Sequence, residues 1–212
     1  MPEAEAAPVA IAEGTVVGFL HRPAAADGRG LVLTHGAGGN CRAPLLSACA
    51  ASFAAAGVTV LRVDLVFRQK RAGGPPHPAG AAADRAGLRD AVAYLRGAVA
   101  GPVYLGGHSY GGRQASMLAA EAPGLAAGLL LLSYPLHPPA KPEQMRTAHF
   151  PALRTPAIFV HGETDPFGTL AELAAAIAAI PAPTRIIPIA GAGHDLRRGR
   201  IDFAPIMAVL FA

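Results

Sequence analysis

The segment Gly106-Gly107-His108-Ser109-Tyr110-Gly111-Gly112 follows an apolar run and precedes a helical one, and Gly107 to Gly111 fit the pattern G-x-S-x-G. A sharp strand-to-helix turn of this composition lifts a serine Oγ clear of the backbone, and glycines beside it let neighbouring chain pass closely. Ser109 would then open a helix, where unpaired N–H groups and the helix dipole favour developing negative charge. Taken alone, the segment also reads as a glycine-rich turn with an incidental serine. A serine hydroxyl is a weak nucleophile at neutral pH, so it needs a base within hydrogen-bond reach and a group that orients the base.

Two later loops offer both. Asp165 lies in His161-Gly162-Glu163-Thr164-Asp165-Pro166, just past one apolar run, and His194 lies in Gly191-Ala192-Gly193-His194-Asp195, past the last. His194 would take the Ser109 proton and return it to a leaving group, while Asp165 would hold the imidazole tautomer and stabilise the imidazolium. Singly, an aspartate before proline reads as a turn residue and a histidine among glycines as a solvated group. Their joint occurrence after successive strands, in the order nucleophile, acid, base, favours the catalytic reading. Glu163 and Asp195 are rival carboxylates; Asp165 ranks above them because its loop resembles the usual acid loop. The run Thr34-His35-Gly36-Ala37-Gly38-Gly39-Asn40 lacks the Gly-Lys-Ser/Thr ending of a phosphate loop, which argues against nucleotide binding. Its position suits an oxyanion hole instead, with the backbone N–H groups of Ala37 and Tyr110 as donors.

The elements that must hold these loops are legible as alternating β-type and helical runs, the pattern of an α/β protein with a mostly parallel sheet and helices on both faces. Strands are expected at 14–20, 30–34, 58–63, 102–105, 127–132, 157–160 and 185–189, several of them apolar throughout, as strands covered on both faces are. Helices are expected at 44–56, 79–99, 110–120, 169–180 and 202–211, with Gly57 and Pro181 as stops. Ligands bind at the carboxyl ends of strands in such sheets, which is where the candidate residues fall. The glycine- and proline-rich stretch 71–80 reads as one surface loop. Residues 1–13 read as an N-terminal extension and 14–212 as a single domain.

The chain has 212 residues, 52% of them hydrophobic and 15% charged, enough apolar side chain for one independent core. The net charge is +4, and all basic residues except Lys70 and Lys141 are arginines. They are scattered, the densest groups being Arg68, Lys70, Arg71 and Arg197, Arg198, Arg200, without a nucleic-acid-binding motif, so no nucleic-acid partner is expected. The start Met1-Pro2-Glu3-Ala4-Glu5 does not resemble a signal peptide, and the most apolar run, 125–132, is far short of a membrane span, so a cytoplasmic protein is expected. Cys41 and Cys49 would stand about 12 Å apart on a helix, too far for a bridge. The histidines show no metal-ligand spacing; neither a metal nor a cofactor is expected.

At this point the chain resembles an α/β-hydrolase, and more narrowly the small dienelactone-hydrolase-like branch that includes relatives of testis-expressed protein 30 and NSL complex subunit 3. The likeness runs through Thr34 to Gly39, Leu61-Arg62 to Arg68, the Ser109 turn, Tyr134 to Pro139, Lys141-Pro142-Glu143, Arg146, His149 and Leu153. It continues through His161-Gly162, Asp165 to Gly168 and Gly193 to Leu196. The branch often carries Gly-Lys-Ser-Met-Gly at the turn, where this chain has His108 and Tyr110. Dienelactone hydrolases proper use cysteine in place of Ser109, so their substrate does not transfer. The resemblance implies an α/β-hydrolase fold and a Ser109, His194, Asp165 triad; the short length leaves no room for a large cap domain.

The expected activity is hydrolysis of small-molecule carboxylic esters or thioesters through an acyl-enzyme. Substrate-binding candidates are Arg68, just past a strand end, and His137, Arg146 and His149 in the loop 134–154, which should overhang the site. That loop also reads as a rigid connection whose histidines satisfy backbone groups. Alternative functions are a non-catalytic interaction module on the same fold, or an acyltransferase or peptidase using the same residues.

Overall fold

Four consecutive leucines, Leu129 to Leu132, have no polar alternation, and the computed structural model buries all four. Leu129 and Leu131 pack into one hydrophobic cluster while Leu130 and Leu132 pack into another on the opposite face of the sheet. This is how a strand with two apolar faces is satisfied: side chains alternate, and each face needs its own layer of helix. The structure describes residues 7–198 and 201–212. Arg200 and residues 1–6 of the expected N-terminal extension therefore lie outside the described residues.

The chain runs β1 (Val9–Glu13), β2 (Val16–His21), β3 (Gly30–Thr34), α1 (Pro44–Ala55), β4 (Thr59–Val63), α2 (Val66–Lys70), α3 (Ala81–Ala98) and β5 (Val103–His108). It continues with α4 (Tyr110–Glu121), β6 (Leu129–Leu132), β7 (Ala157–Gly162), α5 (Leu170–Ile177), β8 (Thr184–Ile189) and α6 (Phe203–Leu210). The eight strands form one sheet in the order β1-β2-β4-β3-β5-β6-β7-β8. β2 pairs antiparallel with both β1 and β4, and every other pairing is parallel. Helices α3, α4 and α5 supply Leu88, Leu95, Leu118 and Leu173 to one face. Helices α1 and α6 supply Leu46, Phe53, Phe203 and Ile206 to the other. This is the α/β-hydrolase fold, with a mostly parallel sheet between two helical layers.

Two elements depart from the sequence expectation. β1 falls inside the segment read as an extension, where Val9 to Glu13 pair with Leu20 to Val16 across a turn at Gly14, φ +57°. It shows no polar alternation to read, since Val9 to Ala12 are all apolar; only Ile11 is even half-buried, and backbone pairing at a sheet edge holds the strand. Helix α2 occupies 66–70, where no helix is expected, just before the stretch read as loop; its two buried side chains, Phe67 and Arg68, are not spaced as an amphipathic stripe. Cys41 precedes α1, so it does not share a helix with Cys49, and both thiols are free and buried. Among the described residues no helix is long and apolar enough to cross a membrane.

Candidate active site

Ser109 joins β5 directly to α4 and takes φ 52°, ψ −119°, a conformation costly for a residue with a side chain. Close packing around it holds that geometry. A Cβ on Gly111 would stand 2.5 Å from the His35 carbonyl oxygen, and one on Gly107 2.9 Å from the Thr34 carbonyl oxygen. The two glycines of G-x-S-x-G are thus where the turn presses against the end of β3. The Ser109 N–H donates to the Leu132 carbonyl at 2.8 Å, tying the turn to the end of β6 as well.

Asp165 follows β7 and His194 follows β8, and their loops are bound to each other. Thr164 donates to the Ala192 carbonyl through both its N–H and its hydroxyl, each at 2.9 Å. A Cβ on Gly162 would lie 2.5 Å from that same oxygen, so the crossing needs a glycine. His194 Nδ1 lies 2.8 and 3.0 Å from the two Asp165 carboxylate oxygens, and its Nε2 lies 2.7 Å from Ser109 Oγ. A carboxylate can only accept, so Nδ1 carries the proton and Nε2 offers a lone pair to the serine O–H. The Asp165 side chain is fully buried and also accepts from the Phe167 N–H at 2.9 Å.

The rival carboxylates are engaged elsewhere: Glu163 accepts from the Gly191 N–H at 3.1 Å, and exposed Asp195 faces Arg197 at 3.5 Å. The Ala37 and Tyr110 N–H groups donate to no acceptor among the described residues, and both residues border the space at Ser109. Two residues passed over in the sequence help seat His194. Phe167 stacks on its ring with centroids 4.1 Å apart, and His108 donates Nε2–H to its carbonyl at 2.8 Å. Burial holds the His108 imidazole below its ordinary pKa. Both flank motif residues, at Asp-Pro-Phe-Gly and at the x of G-x-S, and that adjacency was the available signal.

The substrate-binding candidates separate sharply. Arg146 borders a cleft that opens on Ser109. Arg68 does not face that space: it is buried, and it donates to the carbonyls of Gly39, Ala37, Gly74 and Arg71 at 2.8, 2.7, 3.1 and 3.2 Å. It clamps the loop after β3 because the planar guanidinium fork can donate to several backbone carbonyls at once. His137 is buried beside α5, with Nδ1 bonded to the Pro138 carbonyl and Nε2 3.5 Å from Glu172. His149 contacts Ser116 Oγ through Nε2 at 2.8 Å and pins the loop to the middle of α4. Neither histidine borders the clefts at Ser109, so both are corrected to structural contacts. Among the described residues no group of three or more His, Cys, Asp or Glu is arranged to hold a metal ion.

Comparison with known proteins agrees with this architecture. The family model described as an alpha/beta hydrolase domain matches residues 27–203. The chain is similar to a dienelactone hydrolase from Anabaena variabilis, at 20% identity over 97% of this chain and 94% of that one, with a TM-score of 0.72. An alpha-beta serine hydrolase homologue from Coxiella burnetii matches at 17% identity over 96% and 95% of the two chains, TM-score 0.71. A serine hydrolase without lid from Xanthomonas campestris matches at 15% identity over 98% and 92%, TM-score 0.69. At these identities the likeness to the solved structures is one of fold.

Proposed function

This chain belongs to the alpha/beta hydrolase domain family, and on that premise we propose that it is a serine hydrolase cleaving carboxylic esters or thioesters. The observation that carries the reading is the continuous hydrogen-bonded line from Ser109 Oγ through His194 to a buried Asp165. Ser109 Oγ attacks the carbonyl carbon as its proton passes to His194 Nε2, and the carbonyl π electrons move onto oxygen. That oxyanion accepts from the N–H groups of Ala37 and Tyr110 and is further favoured by the α4 N-terminus. Asp165 keeps the proton on Nδ1 and stabilises the imidazolium. Collapse of the tetrahedral intermediate breaks the bond to the alcohol or thiol, which takes the proton from Nε2. Water then gives a proton to Nε2, attacks the acyl-enzyme and releases the acid, restoring Ser109. The stacked Phe167 ring limits the imidazole to the rotation this relay needs.

Within the family the motifs favour the small dienelactone-hydrolase-like branch that includes relatives of testis-expressed protein 30 and NSL complex subunit 3. The absence of a cap-sized insertion between the described elements suits an open site for small-molecule substrates. We take the chain to act in the cytoplasm, without cofactor, nucleic acid or membrane. A fluorophosphonate probe is expected to label the wild-type protein and not Ser109→Ala, and p-nitrophenyl esters to be turned over by the wild type alone. Labelling that persists in the variant, or no ester turnover by the wild type, would overturn the proposal.

A further inference from the structure

Ser109 sits where two chemically unlike clefts meet. The first, about 650 Å³, is walled by Leu45, Leu46, Leu196, Ile201 and Phe203, and the arginine on its lining, Arg197, already faces the Asp195 carboxylate at 3.5 Å. The second, about 480 Å³, carries Arg113, Gln114 and Arg146. Arg113 stands one helical turn past the nucleophile, its backbone N–H donating to the Ser109 carbonyl at 3.0 Å, and its Nε is buried without an acceptor. Gln114 is fully buried; its Oε1 accepts from Arg85 at 3.0 Å, which fixes the amide and leaves the Nε2 donor unpaired. Arg146 is held by its backbone, whose carbonyl accepts from the Tyr134 hydroxyl at 2.7 Å and whose N–H donates to the Leu136 carbonyl at 2.8 Å.

Among the described residues no carboxylate lies within 4.0 Å of the Arg113 or Arg146 guanidinium. The nearby acids are already committed: Asp84 accepts from the Phe67 N–H and the Tyr110 hydroxyl, and Glu121 pairs with Arg85. Burial first, and then the neighbouring Arg113, hold the Arg146 guanidinium below its ordinary pKa. An anion placed between two guanidinium groups relieves that repulsion and gains charge-assisted hydrogen bonds from both.

The side on which the anion binds follows from His194, which borders the mostly apolar first cleft and not the cleft that carries Arg113 and Arg146. A leaving-group oxygen or sulfur must take its proton from His194 Nε2, so the alcohol or thiol departs along the apolar cleft and the acyl chain runs into the other. We infer that the acyl chain carries an anion: the substrate is a half-ester or half-thioester of a dicarboxylic acid with an apolar alcohol or thiol. Its free carboxylate is held by Arg113 and Arg146. This inference rests on the serine-hydrolase reading above and narrows it to a substrate class.

The test compares mono-p-nitrophenyl adipate with p-nitrophenyl hexanoate, which share acyl length and leaving group and differ in terminal charge. The wild type is expected to favour the adipate in kcat/KM by at least about tenfold, the scale of a charge-assisted contact. Arg146→Met should lower that ratio about tenfold and Arg146→Lys should retain part of it; the ratio cancels any general loss of activity or folded protein. An ester with the charge on the other side, 4-carboxyphenyl hexanoate, should gain nothing, and an Arg146-dependent preference for it would overturn the acyl assignment. Equal kcat/KM for adipate and hexanoate, with turnover still dependent on Ser109, would overturn the anion subsite and leave the hydrolase reading standing. Binding without turnover is read by titrating Ser109→Ala with monobutyl adipate in a calorimeter. Adding Arg146→Met should weaken Kd about tenfold, and no binding, or binding indifferent to Arg146, would overturn the inference whether or not any ester is hydrolysed.

Discussion

Replacing Arg68 by methionine keeps an apolar stem of similar length and removes four hydrogen bonds from a side chain that is 7% exposed. The two short bonds, to Ala37 at 2.7 Å and to Gly39 at 2.8 Å, are charge-assisted and contribute about 1.5 kcal/mol each at the low end of their range. The bonds to Gly74 and Arg71, at 3.1 and 3.2 Å, add a few tenths each, and water reaching the freed carbonyls returns a similar amount. The net loss is about 3 kcal/mol, which in a domain of this size lowers Tm by roughly 6–12 °C. Ala37 is also the residue whose N–H is assigned to the oxyanion, so releasing its carbonyl loosens that donor. We expect kcat to fall about tenfold or more for every ester alike. Lysine at this position should not restore either property, because a point charge cannot reach several carbonyls in one plane. Thermal unfolding and ester kinetics on the purified variant test this. An unchanged Tm with a rise in KM confined to anionic esters would show Arg68 to be a substrate ligand and refute the clamp.

Asp165→Asn should leave the fold intact yet lower kcat by about 10⁴, because an amide donor facing His194 Nδ1 stabilises the wrong tautomer; a loss under tenfold in steady-state kinetics would remove Asp165 from the relay. Stability should decline on acidification. Burial first, and then Arg62, lowers His21 from 6.5 to about 4; burial, then Arg113 and Arg85, does the same to His149. Both are neutral when folded, and His21 Nε2 accepts from Arg62 Nε at 2.9 Å, a bond that protonation destroys. The unfolded chain binds these protons first, so their stabilisation is complete above pH 6.5 and is lost as pH falls from there toward 4. Denaturant titrations at stepped pH should show this slope, shallower in His149→Gln, and a flat profile over that window would contradict it.

Position along the chain carried much of the site. The turn at Ser109 is legible because a strand entering a helix that sharply tolerates only glycine at 107 and 111, and the packing against Thr34 and His35 makes that requirement concrete. The loops of Asp165 and His194 are legible because each follows an apolar strand. β1 is hard to read from sequence because a strand held mainly by backbone pairing leaves little trace in hydrophobic periodicity. For a related reason sequence leaves two readings open for Arg68, His137 and His149. A polar side chain in a loop after a strand can turn toward ligand or toward backbone, and sequence records only that it is there.

Local chemistry therefore determined the class of fold, the glycine-flanked turn at Ser109 and the order of the three candidate residues, since backbone sterics and apolar alternation act over a few neighbouring residues. Sequence ranked Asp165 above Glu163 and Asp195 by its loop, while the contact with His194 itself belongs to the tertiary structure, because it depends on two loops crossing at Gly162. Tertiary structure likewise decided which arginines are consumed by carbonyls and which face open space, a competition among acceptors brought close from 31 and 29 residues away in sequence.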